Sequence, residues 1–523
     1  MYNRGESHDE SNRQIEFMLP EPIKDFVFDL YQSTRRSLQI EEVQQIYDSR
    51  FRELTDKYFS SSAWPEPAAI APECNFDEVF LLLYREMTLR HVFTKLKPQL
   101  VDYIASWINF SKLFGFLMKD AAGSATEIAL SVQWGYDIVQ EFVYQFQGFC
   151  QYRCQVSTRS GDDLEMLQAN RDVWSLSSVL NILHDMIRVS KITEHQSSRA
   201  KTLSIGNTAP TVPNTAIGIL GYFCLIDLAR LECLLGDYTA SLQAIAPIRL
   251  WDRTETFALI PACHVNLFYH TGLCLMMSRR YSDAIEIFSD VILHISRLLK
   301  PAAGRQGVSN LMQKMMDKAL ALVGICACLC PGYRVDDHVM ELVEMKYEEK
   351  MRRLQAGDIA VFESMFELAC PKFICPAVPD YGLLVNLGQD AYRLQVASFI
   401  AETQYQLSLL RLRSYLRLYT SINLEKLARF NDTTVPELIS QLMSFKHKTM
   451  QIQCSLLSSS DLTATRVSTS DVQFHIIDKI LYVDSAGSER ERGRVAERVF
   501  ISGIRKHVEV REDVVRVFAR YGL

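Results

Sequence analysis

Apolar residues recur every three to four positions along most of this chain of 523 residues. That spacing places their side chains on one face of a helix and does not suit the alternation of a strand. The pattern therefore predicts a mainly α-helical protein. Two such stripes are formed by Val27, Leu30 and Tyr31, and by Val79, Phe80, Leu83, Met87, Leu89 and Phe93.

Short segments interrupt this periodicity. Residues 64–72 contain three prolines, and residues 197–214 are rich in Ser, Thr and Pro. We interpret 197–214 as an exposed linker, because such residues favour turns and loops. Residues 1–20 are polar, and we expect them to be flexible.

Two segments of the central region share one helical pattern. Leu231–Ile245 and Leu273–Phe288 each contain an apolar helix, a short polar turn, a tyrosine, a small residue and a second apolar helix. Tyr238 and Tyr281 are predicted to fill the gap between the paired helices, while Ala240 or Ala284 lets the backbones approach. The spacing is looser than the roughly 34 residues of a tetratricopeptide unit, so two unrelated hairpins remain the alternative. Stacked pairs would form a solenoid.

The pattern changes after the helix predicted over Arg411–Thr420. A short helix is followed by a turn at Asn431 and Asp432, and Thr434–Glu437 then reads as a capping box that begins a second helix. The second helix has a predicted buried stripe formed by Val435, Leu438, Ile439, Leu442 and Met443. The apolar positions that indicate the two helices before it are Leu409, Leu410, Leu412, Leu416 and Leu418, and then Ile422, Leu424, Leu427 and Ala428.

Alternating apolar residues indicate strands beyond the second helix. The apolar positions are Met450, Ile452 and Cys454, then Val472, Phe474 and Ile476, then Leu481 and Val483 after a turn at Asp478 and Lys479. The intervening residues 455–470 are mostly polar and are predicted to be flexible. Two helices followed by a two- or three-stranded ribbon predict a winged helix over residues 406–486.

The last segment has the pattern of a long amphipathic helix, from Val495 to Phe518. Its apolar stripe is flanked by arginines and follows a winged helix that does not need it, so we expect it to bind a partner. The alternative is that it folds back on the chain's own repeats. The candidate partner-binding residues are Val495, Val499, Phe500, Ile504, Val508, Val515 and Phe518.

Composition and charge are those of an ordinary folded, soluble protein. The net charge is −6, and hydrophobic residues make up 48% of the chain. The positive excess of a dedicated nucleic-acid binder is absent. The polar start, the 13 scattered cysteines and an apolar run of only Ala319–Cys330 favour a cytoplasmic protein with free thiols and no membrane span.

No catalytic motif is recognisable, so we expect neither an enzyme nor a bound cofactor. Cys326, Cys328 and Cys330, with Cys370 and Cys375 further along, lack the spacing of a zinc site. Cys326 and Cys330 are interpreted as core residues, as are Cys150 and Cys154. His264 and His270 have no carboxylate nearby in the sequence and are interpreted as packing or hydrogen-bonding residues.

The predicted winged helix lacks the basic face of a groove reader. Its second helix carries no Arg or Lys before Lys446, and the only basic cluster is Lys446-His447-Lys448. Asp471, Asp478 and Asp484 on the ribbon would repel phosphate. A protein partner is therefore favoured over nucleic acid, with a weak RNA contact as the alternative.

A helical array that leads into a winged helix resembles the PCI module of proteasome-lid, signalosome and initiation factor three subunits. A closer resemblance is carried by nine short segments, which are, in order along the chain, Glu53–Phe59, Ile70–Pro72, Glu141–Phe146, Gln151–Cys154, Leu234–Tyr238, Met276–Ile285, Cys370–Phe373, Arg413–Thr420 and Phe445–Lys448. In these segments the chain is similar to the subunit L family of initiation factor three. The residues 197–214, 300–335 and 379–386 match that family less well.

The resemblance implies a non-catalytic scaffold that helps to assemble the initiation machinery on the small ribosomal subunit and to recruit mRNA. It implies subunits K and E of that factor as neighbours. Alternatives are a scaffold of a proteasome-lid or signalosome-type complex, and an RNA-binding adaptor. The expected regions are an N-terminal helical region at 21–196, repeats at 215–405, a PCI module at about 285–486 that ends in the winged helix, and the C-terminal helix at 490–523.

Overall fold

Helices make up most of the described chain, which confirms the predicted mainly α fold. The computed structural model describes residues 20–36, 40–120, 128–203, 212–213, 215–299, 306–330, 333–382, 387–453, 465–468 and 472–484, together with His507 and Arg511.

The first seventeen α-helices cover the part of the chain before Asp390. They are α1 (Glu21–Arg36), α2 (Ile40–Gln45), α3 (Phe51–Tyr58), α4 (Pro67–Ile70), α5 (Glu78–Lys95), α6 (Leu100–Asp120), α7 (Val132–Cys154), α8 (Gly161–Ala169), α9 (Leu176–Ser190), α10 (Ile192–Leu203), α11 (Ala216–Leu235), α12 (Tyr238–Ala244), α13 (Pro261–Met277), α14 (Tyr281–Leu299), α15 (Gln306–Leu329), α16 (Asp337–Gln355) and α17 (Ile359–Ala369).

Three helices and five strands follow. They are α18 (Asp390–Leu418), β1 (Ser421–Asn423), α19 (Leu424–Phe430), α20 (Val435–Thr449), β2 (Met450–Gln453), β3 (Thr465–Ser468), β4 (Gln473–Ile477) and β5 (Ile480–Asp484). A π-helical turn (Ile46–Arg50) and the 3₁₀ turns Ala71–Cys74, Val156–Thr158 and Thr256–Leu259 complete the helical segments.

The contacts between residues divide the chain into two compact units. The first contains the described residues up to Leu354 together with Glu363–Ser398, and the second contains Gln355–Phe362 and the described residues from Phe399 onward. The regions expected at 21–196 and 215–405 thus fall largely within the first unit. The finer domain boundaries stay predictions.

The two predicted helical pairs of the central region are present in the first unit, as α11 with α12 and α13 with α14. Tyr238 and Tyr281 are the first residues of the second helix in each pair. Tyr281 is buried, whereas Tyr238 is half-buried, and its hydroxyl donates a hydrogen bond to Gln395 Oε1 at 2.6 Å. The tyrosines therefore begin the second helices, as the sequence pattern indicates.

The predicted close approach at Ala240 is wrong by one residue. Ala240 is half-buried, whereas Ser241 is buried and its Oγ donates a hydrogen bond to the Ala229 carbonyl at 2.7 Å. Ser241 follows its tyrosine by three positions, as the fully buried Ala284 follows Tyr281. The small residue that faces the first helix is therefore at this position in both pairs.

The predicted linker is wrong in its first part, because residues 197–203 belong to α10. Arg199 on this helix is buried and forms ion pairs with Glu255 and Asp252. Burial of an arginine with its partners is incompatible with an exposed loop. Of the remaining residues, 204–211 and Asn214 lie outside the described part of the chain.

Non-helical chain after α17 joins helices that are distant in sequence. Gln147 Nε2 donates to the Lys372 carbonyl at 2.7 Å, and Arg153 Nη2 donates to the Pro376 carbonyl at 2.6 Å. The Ile374 N–H donates to the Leu234 carbonyl at 2.9 Å. Residues 370–376 therefore hold α7 and α11 within one unit.

The second unit contains a three-stranded antiparallel sheet in the order β1–β5–β4. Asp478 and Lys479 form the turn between β4 and β5 with φ values of 46° and 66°. A two-residue hairpin of type I′ needs positive φ at both positions, so the predicted turn is confirmed.

The strand predicted at Met450 and Ile452 forms a separate pair. β2 is antiparallel to β3, with Ile452 opposite Arg466. β3 lies inside the stretch 455–470 that the polar composition predicts to be flexible, so that prediction is wrong for residues 465–468. The third predicted position of the first strand, Cys454, lies outside the described residues.

An apolar core joins α18, α19, α20 and the sheet, and it includes Leu412, Leu438, Leu442 and Leu481. Met443, which was predicted to be buried, is 44% exposed, and Leu418, an apolar position of the preceding helix, is 75% exposed. Leu418 is two residues past the buried Leu416, which places it about 200° away around the helix. Met443 directly follows the buried Leu442, so its side chain lies about 100° further around α20.

Candidate partner-binding surfaces

The seven residues that the sequence predicts to bind a partner lie outside the described part of the chain. They are Val495, Val499, Phe500, Ile504, Val508, Val515 and Phe518; only His507 and Arg511 of that segment are described. Their role stays a prediction.

Side-chain caps position the helices of the second unit. Asn423 Oδ1 accepts a hydrogen bond from the Glu425 N–H at 2.9 Å at the start of α19. The Thr434 N–H donates to Glu437 Oε2 at 3.2 Å, which confirms this half of the predicted capping box. The first turn of α20 therefore carries a carboxylate where a groove-reading helix carries basic or amide side chains.

The basic cluster of α20 is smaller than its sequence indicates. Lys446 and His447 are exposed, but Lys448 is half-buried and its Nζ lies 2.7 Å from Glu402 Oε2. The same ammonium lies 3.9 Å from the centre of the Tyr405 ring. Because Lys448 is neutralised inside the unit, α20 presents less positive charge than its sequence suggests.

The described cysteines that the sequence assigns to the core are buried or half-buried. Burial raises the pKa of the Cys150 thiol to about 12 and that of Cys154 to about 11. Cys326 is fully buried, and desolvation raises its pKa well above the usual range. Cys330 follows the end of α15 and is half-buried. A nucleophilic cysteine needs a lowered pKa, so Cys150, Cys154 and Cys326 are suited to packing.

His264 corrects one prediction, because it does have a carboxylate neighbour. Its Nε2 lies 3.3 Å from Asp290 Oδ2, and its ring stacks on that of His294 with centres 4.1 Å apart. Both partners belong to α14, so sequence proximity could not show them. Desolvation lowers the pKa of His294 to about 4.

His270 has the hydrogen-bonding role that the sequence suggests. Its Nδ1 lies 2.7 Å from the Asn266 carbonyl, and burial lowers its pKa to about 3. It lines a small cavity with Tyr136, Asp227 and Arg230, which has room for about one water molecule. A cavity of this size does not accommodate an organic substrate.

Charged side chains inside the first unit bind one another. Arg90 lies 2.7 Å from Glu86 Oε2 and 3.2 Å from Asp137 Oδ2, and the Tyr47 hydroxyl donates to Asp137 at 2.6 Å. The cluster joins α5, α7 and the π-helical turn. Because these buried charges are paired, the loss of any one of them would leave an uncompensated charge in the interior.

No group of three or more His, Cys, Asp or Glu residues in the described ranges is arranged to hold a metal ion. Among the helices that the structure describes, none is both long enough and apolar enough to cross a membrane.

The fold defines a class: a helical protein built from packed helix pairs, with two capped helices and a three-stranded antiparallel sheet near its C-terminal end. Residues 102–507 match the protein family described as "RNA polymerase I-associated factor PAF67". Curated relatives cover most of the chain. A Nematostella vectensis protein is 34% identical over 91% of this chain and 90% of its own length. Proteins from Xenopus tropicalis and Homo sapiens are each 33% identical over 91% of this chain and 84% of theirs.

Each of these relatives is named "Eukaryotic translation initiation factor 3 subunit L". The chain belongs to the family of eukaryotic translation initiation factor 3 subunit L. Membership in this family makes it a subunit of the initiation factor, as the sequence resemblance indicates.

Two sequence segments that carried the resemblance contact the chain that directly follows a third. Arg153, from Gln151–Cys154, donates to the chain that follows Cys370–Phe373. That chain in turn donates from Ile374 to the carbonyl of Leu234, the first residue of Leu234–Tyr238. These segments therefore have a structural role in holding helices together. Their contacts span more than two hundred positions in one case, so no local pattern could have revealed them.

Proposed function

We propose that this chain is a non-catalytic scaffold of translation initiation factor 3, which supports assembly of the initiation machinery on the small ribosomal subunit and mRNA recruitment. Family membership over 91% of the chain is the observation that carries the proposal. The chemistry of the described interior supports it, because the thiols, imidazoles and carboxylates described above are desolvated, paired or hydrogen-bonded.

The mechanism is architectural. We expect surfaces of the helix pairs and of the second unit to bind partners through apolar patches with polar rims, because burial of such patches supplies binding energy. Rigid helices position these surfaces. We infer that the neighbours are subunits K and E of the same factor, that the platform is the small ribosomal subunit, and that the protein acts in the cytoplasm.

The C-terminal segment 490–523 is proposed to join a helical bundle between subunits. Its sequence combines apolar residues such as Val499, Phe500 and Phe518 with flanking arginines, which suit an acidic partner. Deletion of residues 490–523 should leave a folded chain that no longer enters the complex. Normal co-assembly of the truncated chain, or its outright unfolding, would show that the segment is not an assembly helix.

An RNA-binding adaptor is the second candidate, on the exposed Lys446 and His447. The net charge of −6 argues for weak binding without sequence preference. Sub-micromolar, sequence-selective binding by the isolated chain at physiological salt would favour the adaptor over the scaffold.

Affinity purification tests the proposed function. The tagged full chain should co-purify from cytosolic extract with the other subunits of initiation factor 3, subunits K and E among them. Recovery without them, or with the subunits of a proteasome lid instead, would overturn the proposal. Ribonuclease treatment before elution distinguishes protein contacts from joint attachment to RNA.

A further inference from the structure

One surface of the second unit combines exposed apolar side chains with positive charge. It lies where the end of α18 meets α19, and it contains Arg411, Tyr415, Leu418, Tyr419, Lys426 and Phe430. We name these six residues the α18–α19 patch.

Ring stacking fixes the centre of this patch. The Phe430 ring lies 5.9 Å from that of Tyr415 and 6.4 Å from that of Tyr419, with interplanar angles of 26° and 25°. The Tyr415 hydroxyl donates to the Phe430 carbonyl at 3.3 Å, and Lys426 Nζ lies 5.6 Å from the Phe430 ring centre. The patch is therefore preorganised, which lowers the entropy cost of binding.

The apolar part of the patch is open to solvent. Leu418 is 75% exposed and Phe430 is 40% exposed. Arg411 precedes Tyr415 by four positions and Leu418 by seven, so the three side chains share one face of α18. The patch thus has an apolar centre between an arginine on α18 and a lysine on α19.

The local charge is opposite to that of the whole chain. Between Thr403 and Asn431 the sequence contains five basic residues and one acidic residue, Glu425, although the chain carries a net charge of −6. The basic residues are Arg411, Arg413, Arg417, Lys426 and Arg429. Such a patch attracts a negatively charged partner and speeds its association at low salt.

We propose that the α18–α19 patch binds an acidic, amphipathic segment of another subunit in the same assembly. The apolar side chains of that segment cover Leu418 and Phe430, while its carboxylates pair with Arg411 and Lys426. The proposal rests on the proposed scaffold function, because it needs a neighbouring subunit.

Two other occupants fit the patch less well. Single-stranded RNA binds by stacking its bases on open aromatic faces. Here the rings stack on one another, and the most exposed apolar member, Leu418, has no ring. The chain's own residues 489–523 contain nine Arg and Lys against six Asp and Glu, so their net charge has the same sign as the patch.

Site-specific photo-cross-linking tests the proposal in the assembled factor. The photoreactive residue p-benzoylphenylalanine replaces Leu418 or Phe430 in the full chain, which is then purified with its complex. Met345, which is 79% exposed on α16, is the matched control position. We expect positions 418 and 430 to cross-link to one protein segment that contains more Asp and Glu than Lys and Arg, and Met345 not to cross-link to it.

Charge reversal supplies the second measurement. With the photoreactive residue at 418, Arg411→Glu with Lys426→Glu should reduce the cross-link yield by about tenfold or more, because like charges then oppose each other. Lys97→Glu with Lys112→Glu changes the charge equally at exposed positions of the first unit and should leave the yield unchanged. Circular dichroism checks that both double variants are folded.

The outcomes separate this proposal from the proposed function. If the chain co-purifies with its complex but positions 418 and 430 cross-link to RNA, to a segment that is not acidic, or to nothing, the patch proposal is overturned alone. If the unmodified chain does not co-purify with other subunits, both the scaffold function and the patch proposal are overturned.

Discussion

Arg199 is a buried arginine whose charge is balanced by acceptors from a distant turn. Its Nη1 is ion-paired with Glu255, its Nη2 lies 3.4 Å from Asp252 Oδ2, and the Tyr222 hydroxyl donates to Glu255 Oε2 at 3.1 Å. Removing one partner of such a pair leaves an uncompensated charge in a low-dielectric interior. The ion pair should therefore affect stability most when only one of its two partners is removed.

Arg199→Met should lower the free energy of unfolding by about 3–5 kcal/mol, because Glu255 loses its counter-charge. Urea unfolding followed by circular dichroism measures this. Arg188→Met is the matched control, because Arg188 is 77% exposed and its pair with Asp185 contributes about 0–1 kcal/mol. Equal losses for the two variants would show that the buried pair has no special role.

The two tyrosines that begin α12 and α14 should differ in their effect on stability. Tyr281 is 6% exposed, and Tyr281→Ala should cost about 3–5 kcal/mol through the cavity it leaves. Tyr238 is half-buried, so Tyr238→Ala should cost less, and Tyr238→Phe only about 0.5–1.5 kcal/mol for the lost hydrogen bond to Gln395. Unchanged melting temperatures for both alanine variants would contradict this packing.

Asp227 makes stability depend on pH. Desolvation raises the pKa of its carboxyl to about 6, and Arg230 at 3.5 Å offsets this only in part. Because the folded-state pKa lies above the unfolded one, Asp227 stabilises the protein fully below about pH 4, and this contribution is lost as the pH rises through 6.

Asp227→Asn removes that titration and keeps the size of the side chain. The stability of the variant relative to the parent should rise by about 1.4 kcal/mol between pH 5 and pH 7.5. Paired urea titrations at the two pH values measure the difference. A difference that is constant, or that falls with pH, would show that the carboxyl is charged when buried.

Residue-scale contacts were only partly predictable. The buried stripe of α5 was readable because Phe80, Leu83 and Met87 follow the helical period. The partners of Arg199 and His264 were not, since they lie 53–56 and 26 positions away. The α18–α19 patch had a local signal, because Arg411, Arg413 and Arg417 alternate with Tyr415 and Tyr419, but Leu418 was interpreted only as one of the apolar positions that indicate a helix.

At the scale of elements, glycines determine how closely two helices approach. A Cβ at Gly272 of α13 would lie 2.5 Å from Phe288 Cε1 of α14, and Phe288 is fully buried. A Cβ at Gly115 of α6 would meet no atom within 4 Å. Replacing glycine by alanine should therefore lower the stability of the protein at position 272 and raise it at position 115.

Gly272→Ala should destabilise the protein by about 1–3 kcal/mol, because α13 and α14 must separate. Gly115→Ala should stabilise it by up to about 1 kcal/mol, because alanine loses less backbone entropy in a helix. Thermal and urea unfolding of both variants measure whether each substitution raises or lowers the free energy of unfolding. Stabilisation by Gly272→Ala would mean that the helix pair is looser than described.

Elements whose signals are local could be predicted from the sequence. The capping box at Thr434 and the turn at Asp478 and Lys479 each depend on a few neighbouring residues, and both are present. Helix α10 was assigned partly to a linker, because its Ser and Thr content concealed Arg199. Strand β3 was missed because its polar sequence shows no alternation, and its pairing with β2 stabilises it.

At the scale of the whole molecule, the sequence established the family and the mainly α class. Nine short segments in the right order carried the family resemblance, and the Nematostella vectensis relative aligns with 91% of the chain. The grouping into compact units was not readable, because contacts such as Arg153 with Pro376 join residues 223 positions apart. Patterns with a short period do not report such contacts.

Sedimentation tests the central claim, that the chain acts as a subunit of initiation factor 3 on the small ribosomal subunit. Cytosol that contains the tagged full chain is fractionated on a sucrose gradient, after ribonuclease treatment limited to mRNA, and the chain is quantified in each fraction. The chain should migrate with the small ribosomal subunit and with the other factor subunits, and it should leave those fractions when the factor is depleted. A chain that stays at the top of the gradient, or that remains with the small subunit after depletion of the factor, would contradict the claim.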